Sequence, residues 1–175
     1  MNRSVFITLI VFSLLLSGCL GSSSASQQSI AAAYAEASLL AAMEAADESA
    51  LALCALDFES GPEAFAKRVC ALSTDLACGL FEVEIRDSWT TLEQAYAAQK
   101  LVCAPGSSRL LEVGRQYGKN VQFWRVNLKG VQGFSDPNID QVFWLQVVEE
   151  NGKWLFNRTL SQGEIALYLA IEQME

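Results

Sequence analysis

Five cysteines are the residues of this chain best suited to covalent chemistry: Cys19, Cys54, Cys70, Cys78 and Cys103. Cys19 stands apart, directly after an apolar run and the small pair Ser17-Gly18. The other four form an even set, which in an exported chain points to two disulfides with three possible connectivities. Cys70–Cys78 with Cys54–Cys103 is preferred, because Cys70 and Cys78 flank an expected helix end. Four reduced, buried thiols are the alternative, since free cysteine is among the most buried residue types. A metal site is disfavoured: the chain has no histidine and no C-x-x-C pair.

Acid–base chemistry finds little support. Without histidine the commonest general base is missing. No serine–lysine pair, nucleophile elbow or glycine-rich phosphate loop stands out. The closest carboxylate pairs are Glu82 with Glu84 and Asp57 with Glu59. On an alternating strand Glu82 and Glu84 would share an outer face, which a solvated surface needs in any case. Trp124, Trp144 and Trp154 are the candidates for a ligand pocket, because an indole supplies apolar area and one donor. The competing reading makes them core residues. The expectation is no catalytic residue, no cofactor and no metal.

The elements that would position these residues follow from periodicity. Residues from Ile30 to about Ala55 are rich in Ala, Leu, Met and Glu and predict a long helix, with Ser29 as its cap. Ser60-Gly61-Pro62-Glu63 turns into a second helix whose core face is Phe65, Val69 and Leu72. Phe81, Val83 and Ile85 alternate with Glu82, Glu84 and Arg86, which predicts a strand over 80–86. Residues 88–100 read as a helix, 104–108 as a loop and 110–113 as a short strand. Longer strands are expected at 121–128 and 141–148, joined through Gly130, Gly133 and Asp136-Pro137-Asn138. Asn151-Gly152 should turn a hairpin into a last strand at 154–158. Ser161 and Glu164 have capping-box spacing ahead of a helix over 162–174.

Both alternation sets of 141–148 are apolar, so both faces of that strand need cover. One should pack on the helices. The other lines a cavity, meets another subunit or lies under the C-terminal helix. The run Ile165–Ile171 is apolar nearly all round, which predicts a buried helix plugging that second face.

The chain has 12 basic and 20 acidic residues, for a net charge of −8. That balance and the lack of any basic patch disfavour nucleic acid and anionic headgroups as partners. A high apolar fraction with only three prolines fits a single folded domain.

Residues 1–18 have the parts of a signal peptide in order: one positive charge at Arg3, an apolar core over Val5–Leu16, and a small-residue cleavage site. The core is too short to span a bilayer. Leu16-Ser17-Gly18-Cys19 resembles the lipobox of prokaryotic lipoproteins. The resemblance implies removal of residues 1–18, fatty acylation of Cys19 and a membrane-anchored protein facing outside the cytoplasm. Residues 19–29 would then be the lipidated cysteine and a flexible tether, and 30–175 one α+β domain. Removing the leader takes away Arg3 and no acid, so the charge moves from −8 to −9.

The order of helices, then antiparallel strands, with the hairpin over Glu149–Phe156, is similar to the NTF2-like α+β family. That resemblance implies a curved sheet wrapped around N-terminal helices as a cone, here with an extra C-terminal helix. The functional expectation is a lipid-anchored binding or accessory domain without catalysis, taking a small apolar ligand or an envelope protein. The alternatives are an NTF2-like enzyme using a carboxylate in a cone-shaped pocket, or a structural subunit of an envelope complex.

Overall fold

Strong helix formers make one unbroken helix, α1 (Ser23–Cys54). The computed structural model describes residues 23–96, 100–112, 119–132 and 140–173. The leader, Cys19 and residues 133–139, with Gly133 and Asp136-Pro137-Asn138, lie outside the described residues. The chain divides into units 1–39 and 40–175, and the division falls within α1. In the first unit the helix is already formed at Ser23, so Ser29 lies inside it instead of capping it, and residues 23–29 are helical. In the second unit Ala42, Ala46 and Ala50 are wholly buried in the main core.

The turn before α2 (Gly61–Cys70) is the expected one, with Ser60 at the cap and Pro62 in the first turn. Phe65, Ala66 and Val69 are its buried face. The strand predicted over 80–86 is not present. Those residues belong to α3 (Asp75–Tyr96), which also absorbs the helix expected from residue 88. The reason is a coincidence of periods. Phe81, Ile85, Trp89 and Leu92 recur at helical spacing and pack inward, whereas Val83, one member of the alternating set, is 58% exposed. Phe65 meets Phe81 and Trp89 at ring separations of 5.6 and 5.8 Å, and Phe58 meets Trp89 at 5.1 Å, so an aromatic cluster joins α2 to α3.

Four antiparallel strands follow: β1 (Val102–Leu110), β2 (Val121–Gln132), β3 (Asp140–Glu150) and β4 (Lys153–Thr159). They form an open sheet in the order β1-β2-β3-β4. The loop expected at 104–108 is part of β1. The turn formers there produce an irregularity between Ala104 and Ser107, on an edge strand where proline is tolerated. Gly106 is required at that point, since a Cβ would collide with the Asn127 carbonyl oxygen of β2. Of the short strand expected at 110–113, Leu110 ends β1, Leu111 and Glu112 are not in a strand, and position 113 lies outside the described residues. The β3–β4 hairpin turns at Asn151 (φ 53°) and Gly152 (φ 76°), the left-handed pair that a tight hairpin needs.

The main core sets Trp124, Val126, Leu128, Leu145, Val147 and Phe156 of the sheet with residues of α1, α2 and α3. A second cluster on the opposite face joins Leu111, Phe123 and Leu160 to Tyr168 of α4 (Gln162–Glu172). The far face is thus covered in part by the C-terminal helix, one of the three outcomes expected, while Val142 on that face stays 40% exposed. The capping box is complete: Ser161 Oγ accepts from Glu164 N–H, and the Glu164 carboxylate accepts from Ser161 N–H. The helix is not buried all round, however. Tyr168 is covered, while Leu167 and Leu169 are 57% and 39% exposed.

The four cysteines pair as preferred. Cys54–Cys103 ties the end of α1 to β1 with Cα atoms 6.2 Å apart, and Cys70–Cys78 ties α2 to α3 at 4.7 Å. Near the first bridge, Leu101 N–H donates to Leu56 O (2.8 Å) and Ser108 Oγ bonds the Asp47 carboxylate. Among the described residues no helix is long and apolar enough to cross a membrane.

Candidate functional site: a groove between α3 and the edge of β4

One turn after another, α3 presents Ala77, Leu80, Phe81, Glu84, Ile85, Ser88 and Leu92 to a cavity of about 400 Å³. These positions recur every three or four residues, so they form one stripe of the helix. The opposite wall is a run of four consecutive residues of β4, Phe156 to Thr159, and Leu53 of α1 contributes at the floor. The lining is mostly apolar. Its polar groups are Glu84 and Ser88 on the helix and Asn157, Arg158 and Thr159 on the strand.

Those strand side chains are held in place. Asn157 Nδ2 donates to Gln146 Oε1 at 2.7 Å, and its Oδ1 accepts from Thr74 Oγ1 at 3.2 Å. Arg158 makes a two-pronged contact with the Glu164 carboxylate at 2.6 and 2.9 Å and also donates to Gln146. The guanidinium, with the Ser161 amide and hydroxyl, holds the Glu164 carboxyl down at about 2. The loop between α2 and α3 pairs with Phe156, the first of the four lining residues of β4. Phe156 N–H donates to Leu72 O at 2.8 Å, and Thr74 N–H donates to Phe156 O at 2.9 Å. Ser73 and Phe156 therefore form a parallel bridge.

The three tryptophans singled out in the sequence do not converge, and none lines this groove. Trp124 and Trp154 belong to the main core, and Trp124 Nε1 donates to Gln122 Oε1 at 3.2 Å. Trp144 faces the other way, packed on the cluster beneath α4 with the Arg125 guanidinium 5.5 Å from its ring. The carboxylates of Glu82 and Glu84 also separate. On a helix, residues two apart point in different directions: Glu84 lines the groove, whereas Glu82 lies toward Pro62 and Ala66 of α2. Asp57 forms an ion pair with Lys100 at 3.0 Å and accepts from Ser60, and the lysine contact is the main cause of its lowered pKa. It fastens a loop.

Cys70, Cys78 and Glu82 bring three ligating atoms within 4.8 Å of one another. Both sulfurs are joined in a disulfide, which leaves no thiolate for a metal. The groove residues were missed because 80–86 reads as a strand. The repeat Ala77, Phe81, Ile85, Ser88, Leu92 is the signal that finds them. Compared with protein-family models and with curated proteins, the chain matches none.

Proposed function

We propose that this protein is a lipid-anchored binding domain working outside the cytoplasm, and that its working surface is the groove between α3 and β4. The observation that carries the reading is the cavity of about 400 Å³, lined chiefly by apolar side chains on a chain of net charge −8. Binding is favoured over catalysis by the character of the polar groups. Glu84 is the one carboxylate among the lining residues, and Arg158 is committed to Glu164. Anchoring is supported by the apolar leader, by the lipobox ending at Cys19 and by two disulfide pairs suited to an oxidising compartment. Two acyl chains on Cys19 would hold the protein stably, since each buried methylene contributes about 0.8 kcal/mol.

The NTF2-like layout remains part of this proposal. Three helices packed on one face of an antiparallel sheet support it; α4 after the last strand is an addition. Two experiments test the reading. Metabolic labelling with a fatty-acid analogue should mark the wild type, whereas Cys19→Ala should persist as an unlabelled precursor; normal maturation of that variant ends the anchored part. An uncharged apolar fluorophore such as Nile red should bind the native protein and lose that binding in Leu80→Glu. Leu80 is 66% exposed, so this change leaves the core intact. Equal fluorophore binding by both proteins removes the groove from the proposal.

A further inference from the structure

We infer that the groove takes an extended polypeptide segment that adds to the open edge of β4 as a further strand. The inference rests on the groove being the binding surface and names the class of its occupant. Phe156 faces the main core and Arg158 reaches Glu164 of α4 on the other face. Although a register shift falls at Asn157, residues from both faces line one cavity only where it runs along the backbone edge. Phe156, Asn157, Arg158 and Thr159 do this. β4 is the last strand in the sheet order, and no further strand among the described residues pairs with that edge.

The chain itself shows that the edge accepts an extended partner. Leu72–Thr74 pairs with Phe156 through two backbone hydrogen bonds and then leaves as α3 begins. The groove continues from that point, with α3 as its second wall. An edge strand flanked by a helix has the two components that strand-addition sites use. Main-chain bonds supply affinity, and pockets for alternate side chains supply selectivity. The Asn157 and Arg158 side chains are tied to Thr74, Gln146 and Glu164, so the edge is held in one geometry before anything binds.

The dimensions and the charge narrow the occupant. Phe156 already bonds Leu72 and Thr74 through its N–H and O, so the stretch left for an added strand is 157–159, about 10 Å long. That is enough for a short segment that places a side chain against the Leu80, Phe81 and Ile85 wall. Glu84 on that wall and the overall negative charge select against acidic residues. The structure therefore assigns a linear peptide, apolar at alternate positions and neutral or basic elsewhere.

The test uses the full mature chain in detergent with both disulfides intact, panned against displayed random linear peptides. Selected peptides are resynthesised with single backbone N-methyl groups at each position in turn. Strand addition predicts a period of two: methylation at one alternate set weakens binding about tenfold or more, and at the other set under about twofold. Leu80→Glu should weaken binding of the unmodified peptide about tenfold, and acidic substitutions within the peptide should weaken it as well. Selected peptides whose N-methyl scan shows no alternation overturn strand addition and leave the groove as a binding surface. So does a selection that yields no peptide while the fluorophore still binds in a Leu80-dependent way. Failure of both peptide and fluorophore to bind removes this inference and the groove reading together.

Discussion

Arg68 illustrates how a single side chain can close a helix end that no local signal marks. Its guanidinium donates to the carbonyls of Ala52 and Ala55, the last turn of α1 and the residue after it, and stacks over Phe65 at 5.2 Å. The carbonyls at a helix C-terminus have no partners within the helix, and here a cation from α2 supplies them. Arg68→Ala should lower stability by about 1–3 kcal/mol, read as a shift in the urea midpoint with unchanged slope. Arg68→Lys should recover only part of the loss, because one ammonium does not reproduce the planar fork. The partners lie 13 and 16 residues away along the chain, so no spacing rule identifies this role. Gly106 is a second such position. Adding a methyl group pushes into the Asn127 carbonyl, and Gly106→Ala should cost about 1–3 kcal/mol. The Pro105-Gly106-Ser107-Ser108 composition argues for a loop, and only the neighbouring strand reveals why a glycine sits there.

At the scale of elements, most of the fold was legible where one periodicity dominates. The C-terminal end of the long first helix, the proline-started second helix, the Asn-Gly hairpin and the capping box lie where local chemistry puts them, whereas the first helix starts ahead of its expected cap at Ser29. The segment 80–86 defeats the same reasoning, because apolar residues at 81, 83 and 85 satisfy a strand pattern while 81, 85, 89 and 92 satisfy a helix. Packing of Phe81 and Trp89 against Phe65 decides between them. That decision carries the groove with it, which explains why the candidate site was less legible than the fold. α4 depends on a cap that is titratable. The Glu164 carboxyl is held at about 2 against an ordinary 4.5, so its stabilisation is present in full above about pH 4.5 and is lost as pH falls toward 2. Both partners are partly exposed, and solvent screening limits the ion pair to about 1 kcal/mol or less. Glu164→Gln should therefore destabilise the neutral-pH protein modestly, by about 1 kcal/mol with the cap included, and the difference should vanish near pH 2. Urea melts of the wild type and the variant at pH 7 and pH 2 read the difference, with Trp144 against the cluster beneath α4 as one of the four contributing tryptophans.

For the whole molecule, the two bridges should differ in weight. They close rings separated by 49 and 8 residues. Chain entropy then assigns about 4 kcal/mol to Cys54–Cys103 and about 2.5 kcal/mol to Cys70–Cys78. Denaturation of Cys54→Ser/Cys103→Ser and Cys70→Ser/Cys78→Ser double variants should preserve that order, and equal losses would contradict it. The smaller ring has an effect beyond stability. It pins the three-residue segment that shields Phe156, while the opposite margin of the sheet is blunted by Pro105 and its irregular neighbour. Opening that ring with a reductant should loosen the segment over Phe156 and lengthen the exposed rim of β4, so molecules in a reducing medium should begin to stitch onto one another and grow into oligomers. Gel filtration with and without reductant should therefore show self-association that tracks the redox state of Cys70 and Cys78.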